Sequence, residues 1–353
     1  MKKHATLRDI ATAAGVSITT VSLVLNNHPT RVSDEKRALI KHEAERLHYI
    51  PNQTARSLVT NQSMLLALLV PDIENLFFAS LAKQVEDACS TDGYSLIIAN
   101  SNDSKANEIK LLRQFESRNI DGLFLIPSSE STKDSTDLRQ KVAQMNCPVV
   151  LTDRLVREKW CDAVGSDNYC GGQLSAKLFV EAGHTNIACI SGRHDNGNAE
   201  ARKAGFVNEL RKNNIEIDPE LDCYGAYRFD GGYQVADQII DSDATAVFCC
   251  NDLMALGFSK RANERGLSIP HDISVAGYDN VMNSLGIASD LTTIDQDVPS
   301  LVQACHDRMM NRINRQNDST EQTPWLSDPQ TLLIKPRTVI RDSIRSLHQT
   351  SVD

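Results

Sequence analysis

Hydrophobic and polar positions along the 353 residues follow two different periods, and the change falls near residue 62. Up to there apolar residues recur three and four apart, the spacing of one helical face. Leu7, Ile10 and Ala11 form the first such face, behind Thr6 as N-cap and Asp9 three residues on. Gly15 supplies a turn, and Ser17 caps a second helix whose Val21, Val24 and Leu25 fall within about 100° of one another. Thr19, Ser22, Leu23 and Asn26 point to the opposite side, with Ile18 at the edge. Ser33 caps a third helix to about His48, with Leu39, Ile40, Ala44 and Leu47 predicted to face inward. The first two helices and their turn make a helix-turn-helix, and the third closes its core.

Pro51 disfavours helical geometry at Ile50, and Asn52 caps one further short helix to about Leu58. A helix of under two turns does not hold in water by itself, so this segment, with Ala55, Arg56 and Leu58, is expected to order only against a partner. From Leu65 the period changes. LLALLV (65 to 70), LIIAN (96 to 100), GLFLI (122 to 126) and VVLT (149 to 152) are continuous apolar runs, with helices predicted near 78 to 90, 105 to 118 and 135 to 144. IACIS (187 to 191), AVFCC (246 to 250) and ISVAG (273 to 277) form a second set, with helices near 169 to 181, 199 to 213, 231 to 240 and 252 to 265.

Apolar strands alternating with amphipathic helices predict an α/β body of doubly wound parallel sheets covered on both faces. The two sets echo each other, ACSTDGYSLIIANS against FVEAGHTNIACISG, which predicts two similar lobes. The expected organisation is an all-α head over 1–50, a hinge helix and linker over 51–62, and a two-lobed body over 63–353. Lobe 1 takes about 63–162 and 290–322, and lobe 2 about 163–289 and 323–341. LTTI (291 to 294) and the helix near 298 to 315 are placed in the first lobe, TLLIKPRTVI (331 to 340) in the second. The crossings between them would form a hinge.

Composition, 41% hydrophobic and 24% charged, is that of a globular chain. Charge changes the picture more. Residues 1–60 hold nine Lys or Arg against five Asp or Glu, a net +4, which leaves −13 for the rest of a chain whose total is −9. A basic head on an acidic body suits a head that touches phosphate and a body that does not. Lys2 and Lys3 are not followed by an apolar run of signal-peptide type, and no segment approaches the roughly 20 apolar residues of a membrane span. The expected compartment is the cytoplasm. Nine cysteines without any C-x-x-C read as core thiols, and no metal or cofactor is expected.

The second helix of the head is suited to a major groove, where hydroxyls of Ser17, Thr19, Thr20 and Ser22 would meet phosphates or base edges, with Thr6 and Asn26 at the flanks. Ile18 and Leu23 would touch thymine methyls. Two copies of the short helix side by side in a minor groove would each wedge Leu58 between base steps, with Arg56 on backbone or groove. In open parallel sheets ligands bind beyond the carboxyl ends of the strands. Asn75, Phe77 and Phe78 follow the first strand, Asp153 and Arg154 the fourth, Asn251 follows AVFCC, Asp279 ISVAG and Gln296 LTTI, and Arg202 lies early in the helix after IACIS. Singly, Asn251 and Asp279 read better as caps of the helices that follow. Their recurrence at equivalent strand ends points to a shared ligand. Two Arg, two Asp and amide forks, with aromatic faces beside them, suit a neutral polyol.

TLRDIATAAGVSITTVSLVLNN, YIPNQTARSL, IDGLFLIP, CCNDLMALGF, VAGYDN and LTTIDQ together resemble the lactose repressor/galactose repressor (LacI/GalR) family of bacterial transcription regulators over essentially the full length. The resemblance implies base reading by Ile18, Thr19 and Leu23, a hinge helix with Leu58 as wedge, and a body of periplasmic-binding-protein type. The pocket positions look most like the ribose-binding type, which implies contacts from the strand-end set and from Tyr227 as a stacking aromatic. Purine-binding members are similar in the head and in the Phe pair, but tend to carry an apolar aromatic in place of Arg154. The tail after Arg341 lacks the leucine heptads of tetrameric relatives, which implies a homodimer.

The expected function is thus a repressor of double-stranded operator DNA, released by a small sugar, ribose before others. The alternative is a corepressor response, in which a purine or other small ligand tightens operator binding. A transport-type sugar-binding protein is disfavoured by the head. An enzyme using Asp153 or Asp279 as general base is disfavoured by the lack of a phosphate loop, metal set or paired nucleophile.

Overall fold

Thr6 opens the first helix with a reciprocal cap: the Asp9 N–H reaches the Thr6 hydroxyl at 3.4 Å, and the Thr6 N–H reaches the Asp9 carboxylate at 2.8 Å. Helix α1 (Leu7–Ala14) stops at Gly15, whose φ of 63° is the left-handed conformation that favours glycine. Lys36 then donates to the Ala14 carbonyl at 3.1 Å, placing a cation at the negative end of α1. Helix α2 (Ile18–Leu25) begins at Ser17, whose hydroxyl accepts from the Thr20 N–H at 3.1 Å, and α3 (Asp34–Arg46) begins at Ser33. Each such cap contributes about 1 kcal/mol. Ile10, Ala11, Ala14, Val21, Val24, Ile40 and Ala44 are the core, with Leu7, Leu25, Leu47 and Tyr49 packed against it. Leu39 is exposed rather than inward-facing. It precedes Ile40 by one residue, about 100° around the helix, and Ile40 takes the buried position.

The computed structural model describes residues 5–26, 29–49, 62–192, 197–318 and 327–348. The chain divides into two units, Met1–Ser63 and Met64–Asp353. The predicted hinge helix, with Ala55, Arg56 and Leu58, lies outside the described residues. No single described helix is long and apolar enough to cross a membrane.

In the second unit the first sheet is built from β1 (Leu65–Val70), β2 (Ser95–Asn100), β3 (Gly122–Leu125), β4 (Val149–Thr152) and β5 (Asp162–Ser166), joined by β11 (Thr331–Ile334). Their order is β11-β5-β4-β3-β1-β2, all parallel. Period-2 alternation divides β1 between two cores. Leu66, Leu68 and Val70 pack with Phe77, Phe78 and Leu81 of α4 (Leu76–Thr91) and with Leu301 and Met309 of α13 (Val298–Asp318). Ala67 and Leu69 face Leu112 and Phe115 of α5 (Lys105–Ser117), together with Leu138 and Val142. The remaining helices of this half are α6 (Ser129–Lys133) and α7 (Thr136–Ala143).

The second sheet has the parallel order β7-β6-β8-β9, from β6 (Ile187–Ser191), β7 (Asp222–Tyr224), β8 (Ala246–Cys249) and β9 (Ser274–Ala276). Its helices are α8 (Asn168–Glu181), α9 (Gly197–Lys212), α10 (Phe229–Ile240), α11 (Asp252–Glu264) and the short α12 (Val281–Ser284). Strand β10 (Thr293–Asp295) pairs antiparallel with β12 (Arg337–Val339), and single bridges at Ala276↔Thr292 and Asp279↔Asp295 join it to the edge beyond β9. Eight of the nine cysteines are buried and all are free thiols.

Two expected placements are corrected. Residues 331–334 belong to the first sheet, where they pair with β5, and 291–295 run beside the second. Strand β5 went unread because DAVGS carries Asp and Ser where a buried strand is expected to be apolar. Burial of Asp162 is offset by Arg312 of α13, which meets its two oxygens at 2.6 and 3.0 Å. Arg312 also donates to the carbonyls of Ser327 and Asp328, and the Gln330 N–H to Asp162 at 2.8 Å, which fixes the returning strand. The chain passes between the sheets after β5, after β10 and after β11. The Asp167 N–H bonds the Ile334 carbonyl at 2.9 Å, tying two of these crossings.

Candidate functional site: a helical reading face and a polar cleft

On the head, α2 buries Val21 and Val24 and turns the predicted reading residues outward or to the margin. Ile18 is 42% exposed and Thr19 is exposed, while Thr20, Ser22, Leu23 and Asn26 are half-buried. Thr20 Oγ1 lies 2.8 Å from Ser17 Oγ, and Asn26 donates to the Ser22 carbonyl at 2.8 Å. Ser17 and Thr20 are therefore partly committed to capping, and Thr6 to its own box. Ile18 and Thr19 are the most open of the set.

In the body eight of the nine strand-end residues, together with Tyr227, line one cavity of about 340 Å³, counted with its space open to solvent. They are Asn75, Phe77, Phe78, Asp153, Arg154, Arg202, Tyr227, Asp279 and Gln296. The sheet orders explain the convergence. Both sheets reverse their winding beside their first strands, β1/β3 and β6/β8, and helices leave in opposite directions there, opening a crevice at the carboxyl ends.

Asn75 caps α4 by accepting the Phe77 N–H at 3.0 Å. Phe77 and Phe78 meet edge to face, centroids 5.4 Å apart at 71°. The Arg154 guanidinium lies 5.7 Å from the Phe78 ring centroid, and its Nη1 is held by Asp103 at 2.6 Å, the Pro127 carbonyl at 3.2 Å and Ser129 Oγ at 3.4 Å. Arg202 stacks 3.4 Å from the Tyr278 ring centroid, donates from Nε and Nη2 to Asn168 at 3.1 and 2.7 Å, and donates to the Cys250 carbonyl. Asp279 accepts from Gln296 at 2.6 Å and lies 3.9 Å from Arg202 Nη1. Asn251 does not line the cavity: it caps α11 through the Met254 N–H at 2.9 Å and donates to the Tyr227 carbonyl at 3.0 Å, bracing the turn that presents Tyr227. Gly192 makes room for that ring, since a Cβ there would meet it at 2.2 Å.

Backbone strain collects here. Asp103, Asp153, Tyr227 and Asp279 have φ of 51°, 63°, 62° and 102°, conformations that side chains adopt at a cost met by surrounding structure. Burial pushes Asp279 up to about 8, against the pull of Arg202, and Asp153 up to about 6, against Arg154 and Arg202. Gln296 Oε1 is buried without a hydrogen-bond partner.

Three participants escaped sequence reasoning. Asp103 adds a third carboxylate to the expected two and holds Arg154. Its signal was available, because it follows the end of β2 as the others follow their strands. Asn198 lines the cavity and reaches the Asp153 carboxylate at 3.3 Å; it precedes Arg202 by four residues, on the same helical face. Tyr278, with its hydroxyl unpartnered, had no readable signal beyond adjacency to Asp279.

Two family models match the chain, one described as bacterial regulatory proteins, lacI family, over residues 6–52 and one as a periplasmic binding protein-like domain over 176–344. The chain is 33% identical to the HTH-type transcriptional repressor PurR of Pasteurella multocida (strain Pm70), over 97% of this chain and 99% of that one. Among solved structures it is similar to the lac repressor dimer bound to operator and the anti-inducer ONPF, with 25% identity, TM-score 0.83, and coverage of 97% and 100%. It is also similar to a LacI family transcriptional regulator from Enterococcus faecium with bound ribose, with 28% identity, TM-score 0.69, and coverage of 80% and 99%. Head, two-lobed body and relatives agree, and the chain belongs to the lacI family of bacterial regulatory proteins as a DNA-binding transcriptional repressor.

Proposed function

We propose that this repressor binds a palindromic operator as a homodimer and that a small neutral sugar, a pentose such as ribose, occupies the cleft and releases the DNA. The observation that carries the reading is the mixture of donor and acceptor side chains gathered around one cavity. Gln296 Oε1 is an orphaned acceptor, Asp153 and Asp279 are carboxylates, and Arg154 and Arg202 present guanidinium edges. A hydroxyl donates and accepts at once, so vicinal hydroxyls meet all of these, while Phe78 and Tyr227 suit the C–H face of a sugar ring. The ribose held by the Enterococcus faecium relative supports the same class of ligand.

A corepressor reading has its own support. Relatives named PurR are about a third identical over nearly the whole chain, and on kinship alone a purine that tightens operator binding ranks ahead of a sugar. Against it stands Arg154, bound to Asp103 beside Phe78 where a flat base would need an apolar wall. The shift either ligand achieves is bounded by its differential affinity for the two states of the body.

Fluorescence anisotropy of a labelled operator from the chain's own genomic neighbourhood separates the two. D-ribose is expected to lower operator affinity, and hypoxanthine or guanine to leave it unchanged. Tightening by a purine, with no effect of ribose, other pentoses or fructose, would establish the corepressor instead. Proton release tests the chemistry independently. Hydroxyls that donate to Asp279 favour its ionised form, so binding lowers its pKa from about 8 in the empty cleft. Ribose affinity is therefore expected to rise with pH up to about 8 and to level off above it. Calorimetry at pH 7 in buffers of differing ionisation heat should show protons leaving, and uptake or a null would count against the contact. The same raised pKa makes the empty body less stable as pH climbs from 3.8 towards about 8, because the folded state binds more protons than the unfolded in that window.

A further inference from the structure

Next to Tyr227, Arg228 stands at the start of α10 with an extended backbone and no side-chain cap bond of its own. Its guanidinium crosses to the first lobe, with Nη2 2.7 Å from Asp72 and Nη1 2.7 Å from Glu74. Both carboxylates belong to the segment that runs from β1 into Asn75 and α4. That segment is itself braced: the second Asp72 oxygen accepts the Glu74 N–H at 3.2 Å, and Asn100 accepts the Ile73 N–H at 3.3 Å. One fork thus joins the turn carrying Tyr227 to the turn carrying Asn75, Phe77 and Phe78.

A second tie crosses the cavity, from Asn198 to Asp153. The two differ in what a ligand does to them. Asp153 is a cavity group that an effector would bond, so filling the site competes with Asn198. Arg228, Asp72 and Glu74 are not among the cavity-lining residues, so their pairing survives when the site is filled.

We infer that Arg228 is a positioning residue of the effector site: its fork with Asp72 and Glu74 holds the two lips together over the bound ligand and slows escape. This rests on the cavity being the effector site, and not on which effector fills it. Arg228 is 54% exposed as a side chain, and Glu74 75%, so the fork is open to ionic screening. An uncharged ligand will therefore bind with a salt dependence that its own chemistry does not supply.

The test titrates the full-length protein with D-ribose and, separately, hypoxanthine, by calorimetry and stopped-flow fluorescence in low and high KCl. Arg228→Gln is expected to weaken binding of the active probe by about three- to tenfold at low salt, mainly through faster dissociation, with an unchanged melting temperature. It should also flatten the salt dependence seen in the wild type, with Glu74→Gln intermediate and Arg228→Lys recovering most of the slope. Wild-type affinity, dissociation rate and salt slope in Arg228→Gln would overturn the inference while leaving the cavity's role intact. Failure of both probes to bind the wild-type protein would overturn the cavity's role and the inference with it.

Discussion

Arg202→Ala is expected to lower effector affinity by about a hundredfold or more, in the range found when one member of a buried charge cluster is truncated. Arg202 is 4% exposed and is the cation around which the second-lobe wall of the cleft is assembled. Its stacking on Tyr278, its bonds to Asn168 and its donation to the Cys250 carbonyl fix the plane of the guanidinium before any ligand arrives. Ligand hydroxyls therefore meet donors already in place, and little ordering entropy is lost on binding. Alanine removes those donors and leaves Asp279 facing Asp252 and Asp153 without its counter-charge. Asp279, already pushed up to about 8 and so largely protonated at neutral pH, is then pushed higher still and gives up its proton to ligand less readily. That protonation limits the loss of fold stability, so affinity should fall much further than the melting temperature. Arg202→Lys is expected to rescue poorly, because an ammonium supplies charge without the planar fork that bridges Asn168 and the Cys250 carbonyl. Calorimetric titration of both variants checks this. Near-wild-type affinity in Arg202→Ala would show that the ligand does not reach the second-lobe wall.

Arg312→Ala should cost the body about 3–5 kcal/mol, the penalty for leaving a buried charge uncompensated. Asp162 is 1% and Arg312 4% exposed as side chains, and no other cation meets that carboxylate among the described residues. The variant also releases the carbonyls of Ser327 and Asp328, so the return of β11 to the edge of the first sheet loses its anchor. Urea unfolding of the full chain followed by circular dichroism measures the loss. Replacing both partners, Asp162→Leu with Arg312→Met, is expected to recover part of it, since an apolar pair leaves no orphaned charge, although the Arg312 bonds to the two carbonyls are still lost. A loss below about 1 kcal/mol in Arg312→Ala would place the pair in the exposed class and remove its role in holding the crossover.

Most of the site was legible because its members obey a simple rule of parallel sheets. Asn75, Asp153 and Asp279 follow apolar runs that could only be buried strands, and polar residues at strand carboxyl ends face the crevice. Asn251 obeyed the same rule and went elsewhere: its helix-capping geometry consumed its carbonyl oxygen, and the Tyr227 turn its amide. Asp103 shows the converse, a strand-end carboxylate whose partner, Arg154, lies 51 residues away in sequence and was therefore invisible to spacing. Leu39 and Ile40 show how little separates two readings of a helix, because adjacent apolar residues offer the core a choice that only packing against α1 and α2 makes.

Local order along the chain was sufficient to establish the head's three helices with their caps, the alternation of strands and helices in the body, and the chemical character of the crevice. These follow from periodicity, capping side chains and turn residues, all set by neighbours within a few positions. Which sheet each late segment joins, which charge neutralises Asp162, and which side chains line the crevice were settled by contacts between residues far apart in sequence. The reason is energetic: a strand with polar ends such as β5 has no intrinsic preference strong enough to place it, and it becomes a strand only where Arg312 neutralises Asp162 and parallel neighbours flank it on both sides.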